Sequence, residues 1–140
     1  MLQRIILLFF LLTITTASVK AGDWIDIYSQ DGVTYYINTD ITADFDSYNV
    51  WIKQEYTTKA ARSKILREFK LKRTAFSKVT CFKYKTSWSE FAIKTFVFYS
   101  AKGDVIESLN NPYLEYNMVI PDTLGQLWAE AAKMIWEAQQ

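Results

Sequence analysis

The sequence contains no histidine and a single cysteine, and these shortages exclude most common catalytic and metal-binding chemistries. Without histidine there is no Ser-His-Asp triad, no Cys-His nucleophile and no histidine-ligated metal. One thiolate cannot hold a zinc ion or an iron–sulfur cluster. The four glycines are isolated from one another, so no glycine-rich phosphate loop is present. No cofactor or metal is expected, and the protein is predicted not to be an enzyme.

Carboxylates are the remaining catalytic candidates, because paired acidic side chains alone can catalyse hydrolysis. The glutamates of the chain show no spacing that indicates such a pair. The glutamates considered for such a pair, which all precede the predicted last helix, are Glu55, Glu68, Glu90, Glu107 and Glu115. A carboxylate-based hydrolase is therefore the weakest of the functional alternatives.

The first 21 residues have the pattern of a secretory signal peptide. Arg4 precedes an apolar run over residues 5–12, and small side chains precede a predicted cleavage after Ala21, with cleavage after Ala17 as the competing site. The run is shorter than the about 20 residues that span a bilayer, so no transmembrane helix is expected. Cys81 lies far from either site, so no lipid anchor is expected. Residues 22–140 are predicted to form one exported domain, periplasmic or secreted.

Charge is unevenly distributed along this predicted domain. Loss of Arg4 and Lys20 reduces the 16 basic residues to 14, against 15 acidic residues, a net charge of −1. Residues 22–49 contain six aspartates and no basic residue, whereas residues 53–94 contain twelve basic residues and three glutamates. The middle of the chain is a basic stretch.

Alternating apolar and polar residues, with β-branched and aromatic side chains, predict an antiparallel sheet. In residues 33–38, for example, Val33, Tyr35 and Ile37 alternate with more polar positions. Gly32 supplies the positive φ of the first turn. About six strands are expected, over residues 24–29, 33–38, 49–56, 76–88, 91–100 and 105–108.

Two segments have helical periodicity. Residues 58–73 predict an exposed amphipathic helix, although residues 69–72 also alternate, so that a strand could begin there. Residues 124–138 give the stronger pattern, and Thr123 with Gln126 fits a capping box at its start. The predicted fold class is α+β, an antiparallel sheet with a C-terminal amphipathic helix packed on one face.

Aromatic residues are abundant, and most are expected in the core. Trp24, Trp51 and Trp88 lie in predicted strands, and Trp128 lies on the apolar face of the last helix. Trp136 lies off that face and is a candidate contact residue.

Cys81 has two interpretations in an oxidising compartment. It is either a buried free thiol, which its strand context favours, or half of a disulfide between chains.

The basic stretch is the main candidate binding surface, with residues 59–85 as the predicted contact region and an unliganded solvated face as the alternative. It would attract an acidic protein or a polyanionic glycan through charge. Nucleic acid is not an expected partner of an exported protein. The candidate binding residues are Lys59, Arg62, Lys64, Arg67, Lys70, Lys72, Arg73 and Trp136.

Several segments of the sequence resemble the surface-adhesin E family of exported bacterial proteins. They are Asp31-Gly32-Val33-Thr34-Tyr35-Tyr36-Ile37-Asn38, Val50-Trp51-Ile52-Lys53, the strand with Cys81, residues 99–106 including Gly103-Asp104-Val105-Ile106, and Val119-Ile120-Pro121-Asp122-Thr123-Leu124-Gly125. The resemblance implies an antiparallel sheet with a packed helix, and binding of host extracellular-matrix or serum proteins.

Two features of that family are missing. Its members commonly pair the strand cysteine with another in the last helix, where this chain has Ala131, Ala132, Lys133 and Met134. The adhesin is also lipid-anchored, and this chain lacks the required cysteine. The leading hypothesis is a non-enzymatic exported binding module. The main alternative is a structural or inhibitory partner in an envelope complex, which would use a sheet edge or Trp136.

Overall fold

The computed structural model describes residues 22–140, so the predicted signal peptide lies outside the described residues. The strands are β1 (Trp24–Gln30), β2 (Val33–Asn38), β3 (Thr42–Ala43), β4 (Ser47–Tyr56), β5 (Ser77–Lys85), β6 (Glu90–Tyr99), β7 (Val105–Asn110) and β8 (Asn117–Met118). The helices are α1 (Lys59–Glu68) and α2 (Leu124–Ala138).

The strands form one antiparallel sheet, which confirms the predicted α+β fold class. Six strands follow the order β1-β2-β4-β5-β6-β7, and every pairing is antiparallel. The remaining two, β3 and β8, are two-residue strands that pair with β4 and β6. Two residues are too few to show an alternating pattern, which is why the sequence predicted about six strands rather than eight.

The turn between β1 and β2 is a two-residue hairpin loop that also contacts α1. Asp31 and Gly32 both have positive φ, 52° and 75°, as a type I′ turn requires. The Gly32 carbonyl oxygen accepts hydrogen bonds from the Thr57 backbone N (2.7 Å) and hydroxyl (3.0 Å). Thr58 is the N-cap of α1, where its hydroxyl accepts from the Ala61 backbone N at 3.1 Å. The first hairpin is thereby tied to the start of α1.

Gly32→Ala is expected to destabilise the protein more than Gly103→Ala. Both glycines have positive φ, so each alanine introduces strain of about 1–2 kcal/mol. A Cβ at Gly32 would also overlap the Thr58 side chain, whereas a Cβ at Gly103 meets nothing within 4 Å. Thr58 cannot rotate away without breaking the N-cap, so we expect a further 1–3 kcal/mol, roughly, at Gly32. Urea unfolding of both variants measures the difference, and equal losses would contradict it.

Helix α1 ends through a Schellman motif rather than through a glycine. The Leu71 backbone N donates to the Leu66 carbonyl (3.1 Å), and the Lys70 backbone N donates to the Arg67 carbonyl (3.3 Å). Lys70 takes the left-handed conformation, with φ 49°. Residues 69–72 are therefore neither helix nor strand. The turn buries Leu71 and leaves the residues on either side of it exposed.

Helix α2 begins at the predicted cap. The Thr123 hydroxyl accepts from the Gln126 backbone N at 3.4 Å, and the Gln126 side chain in turn accepts from the Asp122 backbone N at 2.7 Å. The reciprocal bond of a capping box normally goes to the cap residue itself, and here it goes one residue earlier. The predicted start of the helix is confirmed.

Both helices cover the same face of the sheet. Val50 and Ile52 pack with the buried residues of α2, while Tyr56 packs with Ala61 of α1. These three β4 residues are separated by even numbers of positions on an unbulged strand, so their side chains share a face. The opposite face, which we call the open face, has no helix over it within residues 22–140. No helix in that range is long and apolar enough to cross a membrane.

Three tryptophans differ from the assignment made from sequence. Trp51 alternates with the core residues Val50 and Ile52, so its half-buried ring lies on the open face. Trp88 lies in the β5–β6 turn with φ 61°, not in a strand, although its ring stacks on Tyr48 with centroids 4.5 Å apart. Trp24 is 37% exposed. It occupies the first position of an edge strand and projects onto the open face, so its alternation with Ile25 places it outside the core.

Candidate functional site, a basic ridge on the first helix

Six exposed cations lie on α1 and the loop that follows it. Helical spacing turns the cations of α1 away from its inner side, where Ala61 and Ile65 pack against the sheet. The Schellman motif then exposes the cations around Leu71. We call this set the basic ridge, and it consists of Lys59, Lys64, Arg67, Lys70, Lys72 and Arg73.

The charge of the basic ridge is almost uncompensated. Lys64 Nζ lies 3.8 Å from Glu68 Oε1, and the two side chains are 68% and 52% exposed. An ion pair between side chains as exposed as these contributes little to stability, and salt screens it. Within residues 22–140, no other cation of the ridge has a carboxylate within ion-pair distance.

Arg62 belongs to α1 but points away from the basic ridge. Its side chain is half-buried, with Nη1 donating to the Tyr56 carbonyl at 3.0 Å. Its guanidinium lies 4.5 Å from the centroid of the Phe76 ring. Arg62 therefore faces the rim of the open face, where it is separated from the other predicted binding residues.

The later part of the basic stretch does not extend the ridge. Lys83 Nζ contacts Asp44 Oδ2 at 2.6 Å, and Lys85 Nζ contacts Asp46 Oδ2 at 2.8 Å. The hydrogen bonds from these lysines hold the pKa of each aspartate below its ordinary value. Aspartates of the acidic segment thus neutralise lysines of the basic stretch across the sheet.

Lys78 does not belong to the ridge either, because its side chain is enclosed by aromatic rings. Its Nζ lies 5.0 Å from the ring centroid of Phe69 and 5.6 Å from those of Phe96 and Phe98. Burial lowers the pKa of Lys78. This lysine helps to close the helix-covered face above β5.

Trp136 is half-buried against the core. Its ring centroid lies 4.9 Å from that of Tyr48. The ring therefore contributes to packing at the end of α2, and its use in binding stays a prediction.

Cys81 is a free cysteine, 1% exposed, as its strand context predicted. Burial raises the pKa of the thiol above its ordinary value. A buried thiol with a raised pKa is a weak nucleophile, because only the thiolate attacks.

The structure brings together two carboxylates that the sequence did not pair. Asp26 lies opposite Tyr36 in the β1–β2 ladder, and the Tyr36 hydroxyl donates to Glu55 Oε2 at 3.2 Å. Burial, with the nearby charge of Glu55, raises the pKa of Asp26. Glu55 Oε1 also contacts Lys53 Nζ at 3.3 Å, so both oxygens of Glu55 are engaged. The two residues come from strands separated by β2, and no sequence spacing could have revealed their approach.

Comparison of the chain with protein-family models and with curated protein sequences finds no match. Within residues 22–140, no group of three or more acidic or cysteine side chains is arranged to hold a metal ion.

Proposed function

We propose that the protein is an exported, non-enzymatic binding module that contacts an acidic macromolecule through the basic ridge. The observation that carries the proposal is the ridge itself, six exposed cations that have a single, solvated carboxylate partner among residues 22–140. A cluster of this kind produces a local positive potential, which attracts polyanions and steers their association.

The other features of the molecule agree with a binding role. Glu55 has both oxygens occupied, which makes it a poor nucleophile or base. The resemblance to surface-adhesin E also implies a protein that binds other macromolecules. Signal-peptide cleavage and export belong to the proposal as well.

Reversal of Lys64 and Arg67 to glutamate is expected to weaken binding of a polyanion without disturbing the fold. Both side chains are exposed, and each reversal replaces attraction by repulsion. With heparin as the probe, we expect roughly a tenfold loss of affinity at low salt. Titration calorimetry measures the affinity, and circular dichroism verifies the fold.

The matched control reverses Lys94 and Lys133, which are exposed away from the ridge and change the net charge equally. We expect this control to keep most of its affinity. Equal losses in the two double variants would show that total charge, not the ridge, governs binding. An unchanged affinity in the Lys64 and Arg67 variant would reject the ridge altogether.

A second candidate is a structural or inhibitory partner that docks at the edge of the sheet. Strand β7 forms one edge, and five of its six residues are exposed. An exposed edge can accept an additional strand from another chain. Main-chain hydrogen bonds respond weakly to salt, so binding that is unchanged between low and physiological salt would favour this candidate.

A further inference from the structure

A groove of about 860 Å³ lies at the open face, beside α1. Its lining includes four aromatic residues, Trp24, Tyr56, Phe76 and Tyr99, and its charged side chains are Lys53, Glu55 and Arg62. Trp24 and Phe76 are 37% and 38% exposed, so ring surface is accessible to a ligand. The volume is within the range of sites that hold small ligands or short polymer segments.

Each cation of the groove is held against an aromatic ring. Lys53 Nζ lies 5.0 Å from the Trp24 centroid and 4.6 Å from the Tyr36 centroid. The Arg62 guanidinium lies 4.5 Å from the Phe76 centroid. Cation–π contacts of this kind fix the charge beside the ring rather than leaving it free in solvent. A ligand that uses both groups must therefore present an apolar face and an anionic group close together.

One sugar ring that carries a carboxylate has this combination of groups. The C–H face of a pyranose can cover an aromatic ring, while its carboxylate reaches the adjacent cation. Its hydroxyl groups can bond to the polar lining, which includes Thr57, Ser77 and Glu55. The acidic side chains of a peptide, those of aspartate and glutamate, have no comparable flat apolar face.

The carboxylate of Glu55 also bears on the choice of ligand. Single-stranded nucleic acid needs aromatic platforms together with a uniformly positive channel for its phosphates. Glu55 is paired with Lys53 in the groove lining, with Oε1 3.3 Å from Nζ, so the groove lacks the uniformly positive channel that a phosphate chain needs. The same carboxylate can accept hydrogen bonds from sugar hydroxyls.

We propose that this groove binds a short segment of an acidic glycan built from uronate sugars, with sugar rings on Trp24 and Phe76 and carboxylates at Lys53 and Arg62. The assignment rests in part on the proposed function, because it names the chemical class of an acidic ligand. It concerns different residues from the basic ridge, so the two can fail separately.

The test measures binding of tetragalacturonate and of its carboxyl-reduced, neutral counterpart by calorimetry. We expect the charged tetrasaccharide to bind and the neutral one to bind at least tenfold more weakly. Trp24→Ala and Arg62→Gln should each weaken binding roughly tenfold, the loss expected for one ring platform or one charge-assisted contact. Chemical-shift mapping of the unmodified protein, which depends on no variant, should place the ligand at β4, β5 and the start of β1.

Matched variants separate the groove from the rest of the surface. Phe45→Ala removes a fully exposed ring elsewhere and should leave binding unchanged. Lys64→Gln removes a cation from the other side of α1, and it too should have no effect on the tetrasaccharide. The Lys64 and Arg67 reversal should reduce heparin binding while tetragalacturonate binding persists.

Equal binding of the neutral tetrasaccharide, or shifts located away from the groove, would overturn the assignment. Tighter binding of a thymidine tetranucleotide or of tetraglutamate in the groove would overturn it in favour of nucleic acid or of an acidic peptide. If tetragalacturonate does not bind while heparin still does, the groove is rejected as a glycan site and the proposed function is retained.

Discussion

Trp128→Ala is expected to destabilise the protein by about 3–5 kcal/mol, because it empties the centre of the contact between α2 and the sheet. The side chain is 8% exposed, and its ring centroid lies 5.1 Å from that of Phe82 and 5.7 Å from that of Tyr35. The neighbouring strands cannot move inward to fill the space, since each is held in its ladder. For a domain with a total stability of about 5–15 kcal/mol, this is a large fraction. Urea unfolding monitored by circular dichroism measures the loss.

Trp128→Phe is the matched control for this prediction. The indole Nε1 is buried with no hydrogen-bond partner among residues 22–140, so phenylalanine removes an unsatisfied donor as well as some volume. We expect a loss of about 1–2 kcal/mol. If Trp128→Ala and Trp128→Phe lost similar amounts of stability, ring packing would not be the cause of the loss. The indole N–H or the helix itself would then determine it.

Raising the pH above 10 is expected to unfold the protein progressively through two buried tyrosines. Tyr84 is fully buried and donates to the Gly125 carbonyl at 3.2 Å, and Tyr56 is 2% exposed. Burial raises the pKa of both phenols above the ordinary value near 10. Above that value the unfolded chain loses protons that the folded protein keeps, so stability decreases as pH rises. The slope is about 1.4 kcal/mol per pH unit for each phenol, or about 5 kcal/mol for both between pH 10 and 12.

Tyr84→Phe separates this effect from other groups that titrate in the same range. The ion pairs of Lys83 and Lys85 with aspartates raise the pKa of both lysines. Deprotonation of these lysines therefore also lowers the stability of the protein as the pH rises. The variant loses one hydrogen bond, about 1 kcal/mol at neutral pH. Its alkaline slope should be shallower by about 1.4 kcal/mol per unit, so its stability should equal that of the parent near pH 11 and exceed it at pH 12. Parallel stability profiles for the two proteins would contradict the assignment to Tyr84.

The sequence predicted the elements whose signals are local. Strand β2 was predicted from alternation over 33–38, and its observed bounds are the same. Helix α2 was predicted from its apolar face and from Thr123, which is the N-cap in the structure. In both cases the face buried in the fold is the face that the periodicity marks.

The end of α1 could not be predicted in this way. A Schellman motif usually places glycine in the left-handed position, and here Lys70 occupies it. Leu71 is then buried by contact with the α1 cluster rather than by alternation in a strand. The basic ridge depends on this turn, because it exposes Lys70 and Lys72 next to the cations of α1.

By itself, the sequence determined the fold class, the C-terminal helix and the concentration of positive charge in the middle of the chain, and it favoured a first helix within residues 58–73 and the burial of Cys81. Only the tertiary structure decided which of those charges remain free. Periodicity shows which face of an element is apolar, but not which strands become neighbours across the sheet. That pairing neutralises Lys83 and Lys85 with Asp44 and Asp46, directs Arg62 and Lys53 to the aromatic groove, and leaves the basic ridge exposed. Ion pairs and grooves form between residues far apart in the chain, so their geometry exists only once the sheet has assembled.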